Sequence, residues 1–236
     1  NVVLGRCMQD RVLAKGVDPE KVQLIGVWSD QEEVHPVPRD ENTFRKKWNV
    51  DDRMLIMYSG NLGLGHDVST FLESARALRD DDRIRFAFVG GGKKKPEVEA
   101  YVHEHSLEKT CILAPYQPRE ELDELLSAAD VHLVSLLEGV EGIMVPCKLF
   151  GILAAGRPAL FIGSTSSEIA LVLEENNCGK LVRQGDSESL TRAITEYADK
   201  PEERIAAGDR ARAAIVEQHS MQQRCEAWRE LLEKLM

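Results

Sequence analysis

Three things are scarce or missing in this 236-residue chain, and each absence removes a class of protein. Cysteine is sparse. Cys7, Cys111, Cys147, Cys178 and Cys225 are scattered with no C-x-x-C pair, a pattern of reduced, mostly buried thiols in a cytosolic protein. Long apolar runs are missing: none approaches about 18 residues, and no signal peptide is visible, so no spanning helix is indicated. An excess of positive charge is missing too. Thirty Lys and Arg stand against 40 Asp and Glu, a formal net charge of −10, which argues against general nucleic-acid binding while leaving room for a local basic pocket. What is present is a globular composition. Apolar residues make up 43%, enough for a sizeable core in one large domain or one domain with appendages.

The stretch that organises the chain is residues 54–78, MLIMYSGNLGLGHDVSTFLESARAL. Met54–Tyr58 has the length of one buried strand; Gly60, Asn61, Gly63 and Gly65 then break it. Val68, Phe71, Leu72, Ala75 and Leu78 follow at helical spacing. Strand, glycine-rich turn and helix place backbone N–H groups and a positive helix end against an anion. The plainer reading is an ordinary strand-to-helix turn.

Further strands are expected at Arg83–Val89, Thr110–Leu113, Val131–Leu136, Ala159–Ile162 and Lys180–Val182, with helices between them. Pro96 and Pro118 suit first helical turns. Thr165–Glu168 reads as a capping box and Asp186 as a cap. Six strands separated by helices predict an α/β fold with a doubly wound, Rossmann-like parallel sheet over residues 51–200. Before it, residues 1–29 read as a β-α-β fragment without its own core. Residues 30–42, polar with two prolines, read as a linker, and 43–50 as a short helix. After it, residues 201–236 form two more helices.

In such a sheet the ligand lies at the carboxyl ends of the strands. The dinucleotide pattern G-x-G-x-x-G fails at Gly60–Leu62, the acid expected after the second strand is replaced by Gly90-Gly91, and a P-loop is absent, which disfavours a nicotinamide oxidoreductase. Two other tips favour an anion. Gly90–Lys95 combines three glycines with Lys93, Lys94 and Lys95; its plainer reading is a solvated turn. Pro146-Cys147-Lys148 opens a helix whose N–H groups and dipole face the crevice, with Lys148 adding charge. Cys147 is read for its backbone N–H, since no base stands beside its thiol in sequence.

The ordered series YSGNLGLG (58–65), FVGGGKKK (88–95), PREELDELLSAADVHLVSL (118–136), KLFGILAAGRPAL (148–160) and CGKLVRQGDSESL (178–190) resembles the donor-binding half of retaining glycosyltransferases of the two-domain GT-B fold, family four, of bacterial exopolysaccharide and O-antigen type. The resemblance covers about residues 20–200. It implies a nucleotide-diphosphate sugar donor, UDP- or GDP-linked, bound without metal or further cofactor. It places the diphosphate near the loop after the first strand and near Pro146–Lys148, and the base near Pro115–Gln117. Donor-site residues expected on this basis are Gly60, Asn61, Gly63, His66, Gly90, Gly91, Lys93, Tyr116, Gln117, Glu138, Glu141, Pro146, Cys147 and Lys148. The catalytic residues are not assigned. Gly151 and Ile143 stand where the family's E-x7-E motif has its glutamates, so Glu138 or Glu141 is the alternative sugar contact, or an ordinary loop acid. His66 is either a donor contact or a polar residue at a helix start.

The resemblance also implies a segmented chain: 1–29 a remnant of an acceptor domain, 30–50 a hinge, and 201–236 helices packing toward the missing domain. A cut from a longer protein is expected, since the chain begins at Asn1. The acceptor would be a glycan or a polyprenyl-linked sugar, at the inner face of the membrane in the cytoplasm. A GT-B sugar-nucleotide epimerase and a non-catalytic interaction domain are the rival readings.

Overall fold

The computed structural model describes residues 1–236. Six parallel strands form the main sheet: β3 (Met54–Asn61), β4 (Ile84–Gly91), β5 (Cys111–Ala114), β6 (Val131–Ser135), β7 (Ala159–Ile162) and β8 (Gly179–Val182). Their order is β5-β4-β3-β6-β7-β8. The chain therefore builds outward from β3 to β5, returns, and places β6 on the other side of β3. That reversal makes β3/β6 the switch point of the sheet.

Both faces are covered, which is why the strands are nearly continuous apolar runs. Ile56, Tyr58, Phe86 and Phe88 face α3 (Ser69–Ala77), α4 (Lys95–Glu104) and α8 (Ser187–Asp199). On the opposite face Leu55, Met57, Ala87 and Val89 meet α2 (Thr43–Trp48) and α5 (Leu122–Ala128). Val134 and Phe161 join a core with α6 (Lys148–Ala154), α7 (Glu168–Glu175) and α9 (Pro201–Gln218). All six expected strands are present, but β3 and β4 run on through the glycines. Gly60 pairs with Gly90 and Asn61 with Gly91, so these four residues are the last rungs of the sheet and not loop residues. Gly90 has φ +129°, and a Cβ there would sit 2.1 Å from the Gly60 carbonyl oxygen.

Three local expectations are corrected. Pro118 opens a 3-10 turn, Arg119–Glu121, ahead of α5. Ser167 alone caps α7; Glu168 instead accepts from the backbone and guanidinium of Arg6. Only Cys111 and Cys178 are buried, while Cys147 and Cys225 are exposed.

Outside the sheet, β1 (Val2–Val3) and β2 (Gln23–Leu24) form a two-stranded parallel pair around α1 (Arg6–Leu13). Both strands of the expected β-α-β fragment are thus only two residues long. Val34 and Asn42, in the stretch read as a linker, and Phe44 and Arg45, in the short helix that follows, are buried against the sheet domain. α9 packs on α6, with Ala211 and Ile215 in the core, whereas α10 (Met221–Leu235) buries no residue. Ser220 and Gln223 close a capping box that starts α10.

Candidate functional site

Beyond Ile56–Val131 and Met57–His132, β3 and β6 separate. The gap at the switch point is filled from three directions. Tyr58 points into it from β3. Its phenol donates to the carbonyl of Asn61 at 2.7 Å. His66 enters from the loop after β3, and its Nδ1–H donates to the carbonyl of Ser135 at 2.7 Å. Lys148, the first residue of α6, reaches back so that its Nζ donates to Tyr58 Oη at 2.5 Å and lies 3.8 Å from the ring centroid.

Lys148 has no carboxylate partner, and burial lowers its pKa to about 7. His66 is buried, with its pKa lowered to about 4 by burial first and by the charge of Lys148 second. It is a neutral imidazole at physiological pH, in an edge-to-face arrangement with Tyr58 at 5.8 Å between ring centres. The site thus contains a cation seated on an aromatic face, with a neutral imidazole nearby and no carboxylate to neutralise it.

A cavity of about 650 Å³ lies on that side. Gly60, Tyr116, Gln117, Cys147 and Lys148, five of the fourteen expected site residues, line it together. The N–H groups of Cys147 and Lys148 have no acceptor in the protein, while those of Leu149 and Phe150 donate to the carbonyls of Pro146 and Cys147.

The other nine stand elsewhere. Gly90 and Gly91 lie beneath the Tyr116 ring, which passes within 3.0–3.2 Å of where their Cβ atoms would be. Asn61 fills the space between Gly63 and Gly92. His66 stands behind Lys148. Lys93 is exposed; it is Lys94 that is engaged, donating to the carbonyl of His66 at 2.6 Å. Glu138 is exposed, and Glu141 follows it in a loop that leans on α1. Pro146 is buried behind the cavity.

The positive end of α3, expected to face a phosphate, is already occupied. Asp67 is buried there and accepts from Thr70 N at 3.1 Å, Ser69 Oγ at 2.8 Å and Gly185 N at 3.2 Å. Burial pushes this carboxyl up, but the bonds from Thr70, Ser69 and Gly185 outweigh it and hold the pKa below the usual value.

The opposite wall of the cavity comes from residues the pattern did not reveal. Trp28, Asp30, Glu33 and Val34 border it, with Met221 from α10. Ser29 pairs with Ser220 in a parallel bridge, and Glu33 binds Arg119 at 2.6 Å. Two distant crossings of the chain therefore meet over the donor side of the sheet. No spacing signal encodes that juxtaposition. No three His, Cys, Asp or Glu side chains cluster closely enough to hold a metal ion.

A doubly wound parallel sheet with a cleft at its switch point defines a Rossmann-type domain. The chain belongs to the glycosyl transferases group 1 family, whose description matches residues 40–214. It is 32% identical over 201 residues to the probable glycosyltransferase WbjE of Pseudomonas aeruginosa, covering 84% of this chain and 49% of that protein. It is 31% identical over 173 residues to the putative colanic acid biosynthesis glycosyl transferase WcaI of Escherichia coli K12, covering 72% of this chain and 42% of that protein. The chain spans about half the length of these curated relatives.

The solved structure of HepE from Anabaena in complex with UDP-glucose superposes with a TM-score of 0.84 at 14% identity, over 99% of this chain and 63% of that one. Sucrose-phosphate synthase from Thermosynechococcus elongatus gives 0.80 at 16%, over 99% and 58%. The fold is that of the GT-B glycosyltransferases. No helix is long and apolar enough to cross a membrane.

Proposed function

We propose that residues 1–236 form the donor-binding half of a retaining glycosyltransferase of bacterial surface-polysaccharide synthesis, and that the cavity at β3/β6 takes a UDP- or GDP-linked sugar without a metal ion. One observation carries the reading: Lys148 is a half-buried cation with no carboxylate partner, at the carboxyl ends of the strands, beside the free N–H groups of Cys147 and Lys148. A diphosphate supplies the missing charge. HepE, of the same fold, has been solved with UDP and with UDP-glucose, which supports a nucleotide sugar as ligand. Tyr116 and Gln117, which line the same cavity, suit the base.

The chemistry follows from the charge. Cleavage of the bond between the anomeric carbon and the diphosphate oxygen leaves an oxocarbenium-like sugar and puts negative charge on the departing phosphate. Lys148 and the two amides face that developing charge as donors already in place, which need no reorganisation as it forms. The acceptor, a glycan or polyprenyl-linked sugar at the cytoplasmic membrane face, is assigned to a domain for which residues 1–29 are the attachment and 30–50 the hinge.

Titration of UDP, GDP and their sugars by calorimetry or NMR tests the reading. Saturable binding, with shifts of amides at 60, 116–117 and 147–148, is expected from residues 1–236, and no sugar transfer. No response at millimolar nucleotide refutes the donor site; transfer by this chain alone refutes the half-site assignment.

A further inference from the structure

A second cavity, of about 310 Å³, lies at the amino ends of the strands, on the far side of the sheet from the donor cleft. Asp130 and Pro158, which immediately precede β6 and β7, belong to its wall. Four guanidinium groups converge there, Arg39, Arg45, Arg157 and Arg204, against the carboxylates of Asp130 and Asp209. Four positive and two negative side chains leave an excess of two positive charges in a protein whose net charge is −10.

Asp130 is fully engaged. It accepts from Arg39 at 2.6 Å, Arg45 at 3.0 Å and the Leu55 N–H at 2.8 Å, while Arg204 stands 3.8 Å away. Arg157 has no carboxylate; its Nη2 donates to the Ser127 carbonyl at 2.7 Å. Asp209 is exposed and forms no ion pair. Two donors are orphaned. Arg45 is only 1% exposed, and its Nε is buried without a partner; so is the Nε of Arg157. Buried donors in folded proteins are nearly always paired, and an orphaned one on a charged group is costly.

Helix ends also meet here. Arg45 donates to the carbonyls of Ala128 and Val50, and Arg204 to that of Tyr197. These bonds fix the guanidinium planes and supply partial negative charge, but they use the terminal nitrogens and leave both Nε groups unanswered. Burial lowers the pKa of Arg45 and Arg157, and neighbouring guanidinium charges add to it, Arg39 for Arg45 and Arg45, Arg39 and Arg204 for Arg157, while Asp130 opposes them.

We propose that this cavity binds a compact, multiply charged oxyanion of the phosphate or diphosphate class, held between Arg157 and Arg204. Arg39 lies in the segment before the sheet, Arg157 follows α6, and Arg204 belongs to α9. An anion at their centre ties these three parts of the chain together, independently of any donor in the β3/β6 cleft.

Inorganic phosphate and pyrophosphate are the probes, titrated by calorimetry and by 31P line broadening, with chloride at matched ionic strength as reference. Phosphate also has access to Lys148, so the titration is run in Lys148→Ala as well as in the unchanged chain. One saturable site retained in Lys148→Ala is expected, together with a rise in Tm. Arg157→Gln and Arg204→Gln should each weaken that site at least about tenfold, the loss of a charge-assisted bond. Arg229→Gln, on an exposed ion pair, should leave it unchanged. Should Arg157→Gln fail to fold, Arg204→Gln and Arg157→Lys, which keeps the charge but not the fork, carry the test. No saturable binding at millimolar phosphate, or a site lost in Lys148→Ala and kept in Arg204→Gln, overturns the proposal and leaves the arginines as helix caps alone.

Discussion

Lys148 Nζ sits 2.5 Å from Tyr58 Oη and 3.8 Å from the centre of the same ring, joining the first turn of α6 to the end of β3 across the switch point. A phenol and an aromatic face hold an ammonium group in place, but neither neutralises it. Lys148→Ala removes the cation of the cleft that has no carboxylate partner, Arg119 being paired with Glu33, and should weaken UDP and GDP about tenfold to a hundredfold, the range for a hydrogen bond to a charged group. Uridine and guanosine, which lack the diphosphate, should change by less than about twofold. Calorimetry on both pairs gives the comparison. Equal weakening of nucleotide and nucleoside would mean that Lys148 does not face the diphosphate.

The lowered pKa of Lys148 gives the binding a pH signature. At about 7, half of the ammonium groups in the ligand-free cleft are deprotonated. A diphosphate favours the charged form, so binding above pH 7 takes up a proton, approaching one per site at pH 8. Affinity should fall by up to about tenfold per pH unit above 7 and lose this dependence in Lys148→Met. Calorimetry in buffers of different ionisation enthalpy reads the uptake directly. The sign for stability is the opposite. The unfolded lysine keeps its proton up to about 10.5 while the folded one releases it near 7, so this group makes the ligand-free protein more stable as pH rises between those values. Proton release on UDP binding at pH 8 would contradict this account.

The sheet was legible because each strand is buried on both faces, and its residues therefore form short apolar runs between helical periodicities. Lys148 was legible because a single lysine follows a proline at the start of such a helix. The start of α3 was read as facing an anion for a local reason: a run of glycines resembles a phosphate loop whether the helix that follows accepts a ligand or, as here, its own Asp67. Tyr58, four residues into an otherwise apolar strand, carried a usable signal in its polar tip. The wall of Trp28, Glu33 and Met221 carried none, since it depends on a bridge between Ser29 and Ser220, nearly two hundred positions apart in the chain.

Gly90 is the backbone position least able to carry a side chain. Its φ is +129°, and an added Cβ would meet the Gly60 carbonyl oxygen at 2.1 Å and the Tyr116 ring at 3.2 Å. Relief requires β3 and β4 to part at their last rungs or Tyr116 to leave the edge of the cavity. Gly90→Ala should cost about 3 kcal/mol or more, lowering Tm by about 6–12 °C for a chain of this size, and should weaken nucleotide binding through Tyr116. Thermal unfolding and UDP titration check both parts. Gly139→Ala is the contrast: it also has positive φ, +86°, but nothing within 4 Å of the added Cβ, so only the conformational cost applies. A Gly90→Ala protein as stable as Gly139→Ala would mean that the close approach of β3 and β4 is not what demands glycine.

Asp67 separates a structural anion from a bound one. It occupies the positive end of α3, where Thr70, Ser69 and Gly185 all donate to it. Asp67→Asn keeps the shape but gives up the charge and turns one acceptor into a donor, which should cost about 2 kcal/mol. The folded-state pKa lies below the ordinary 3.8, so the carboxylate's contribution is complete above that value and disappears as pH falls through the folded-state one. Urea unfolding should therefore show a constant gap between the two proteins from pH 8 to about pH 5, closing as the pH falls further. Nucleotide affinity decides the functional half. If a diphosphate docked on α3, removing a negative charge at that helix end would strengthen UDP binding several-fold. With the diphosphate on Lys148 instead, UDP affinity in Asp67→Asn should stay within about twofold of the unchanged chain, the residual effect of a charge beyond the first contacts. A clear gain in affinity would move the phosphate site from α6 to the glycine turn after β3.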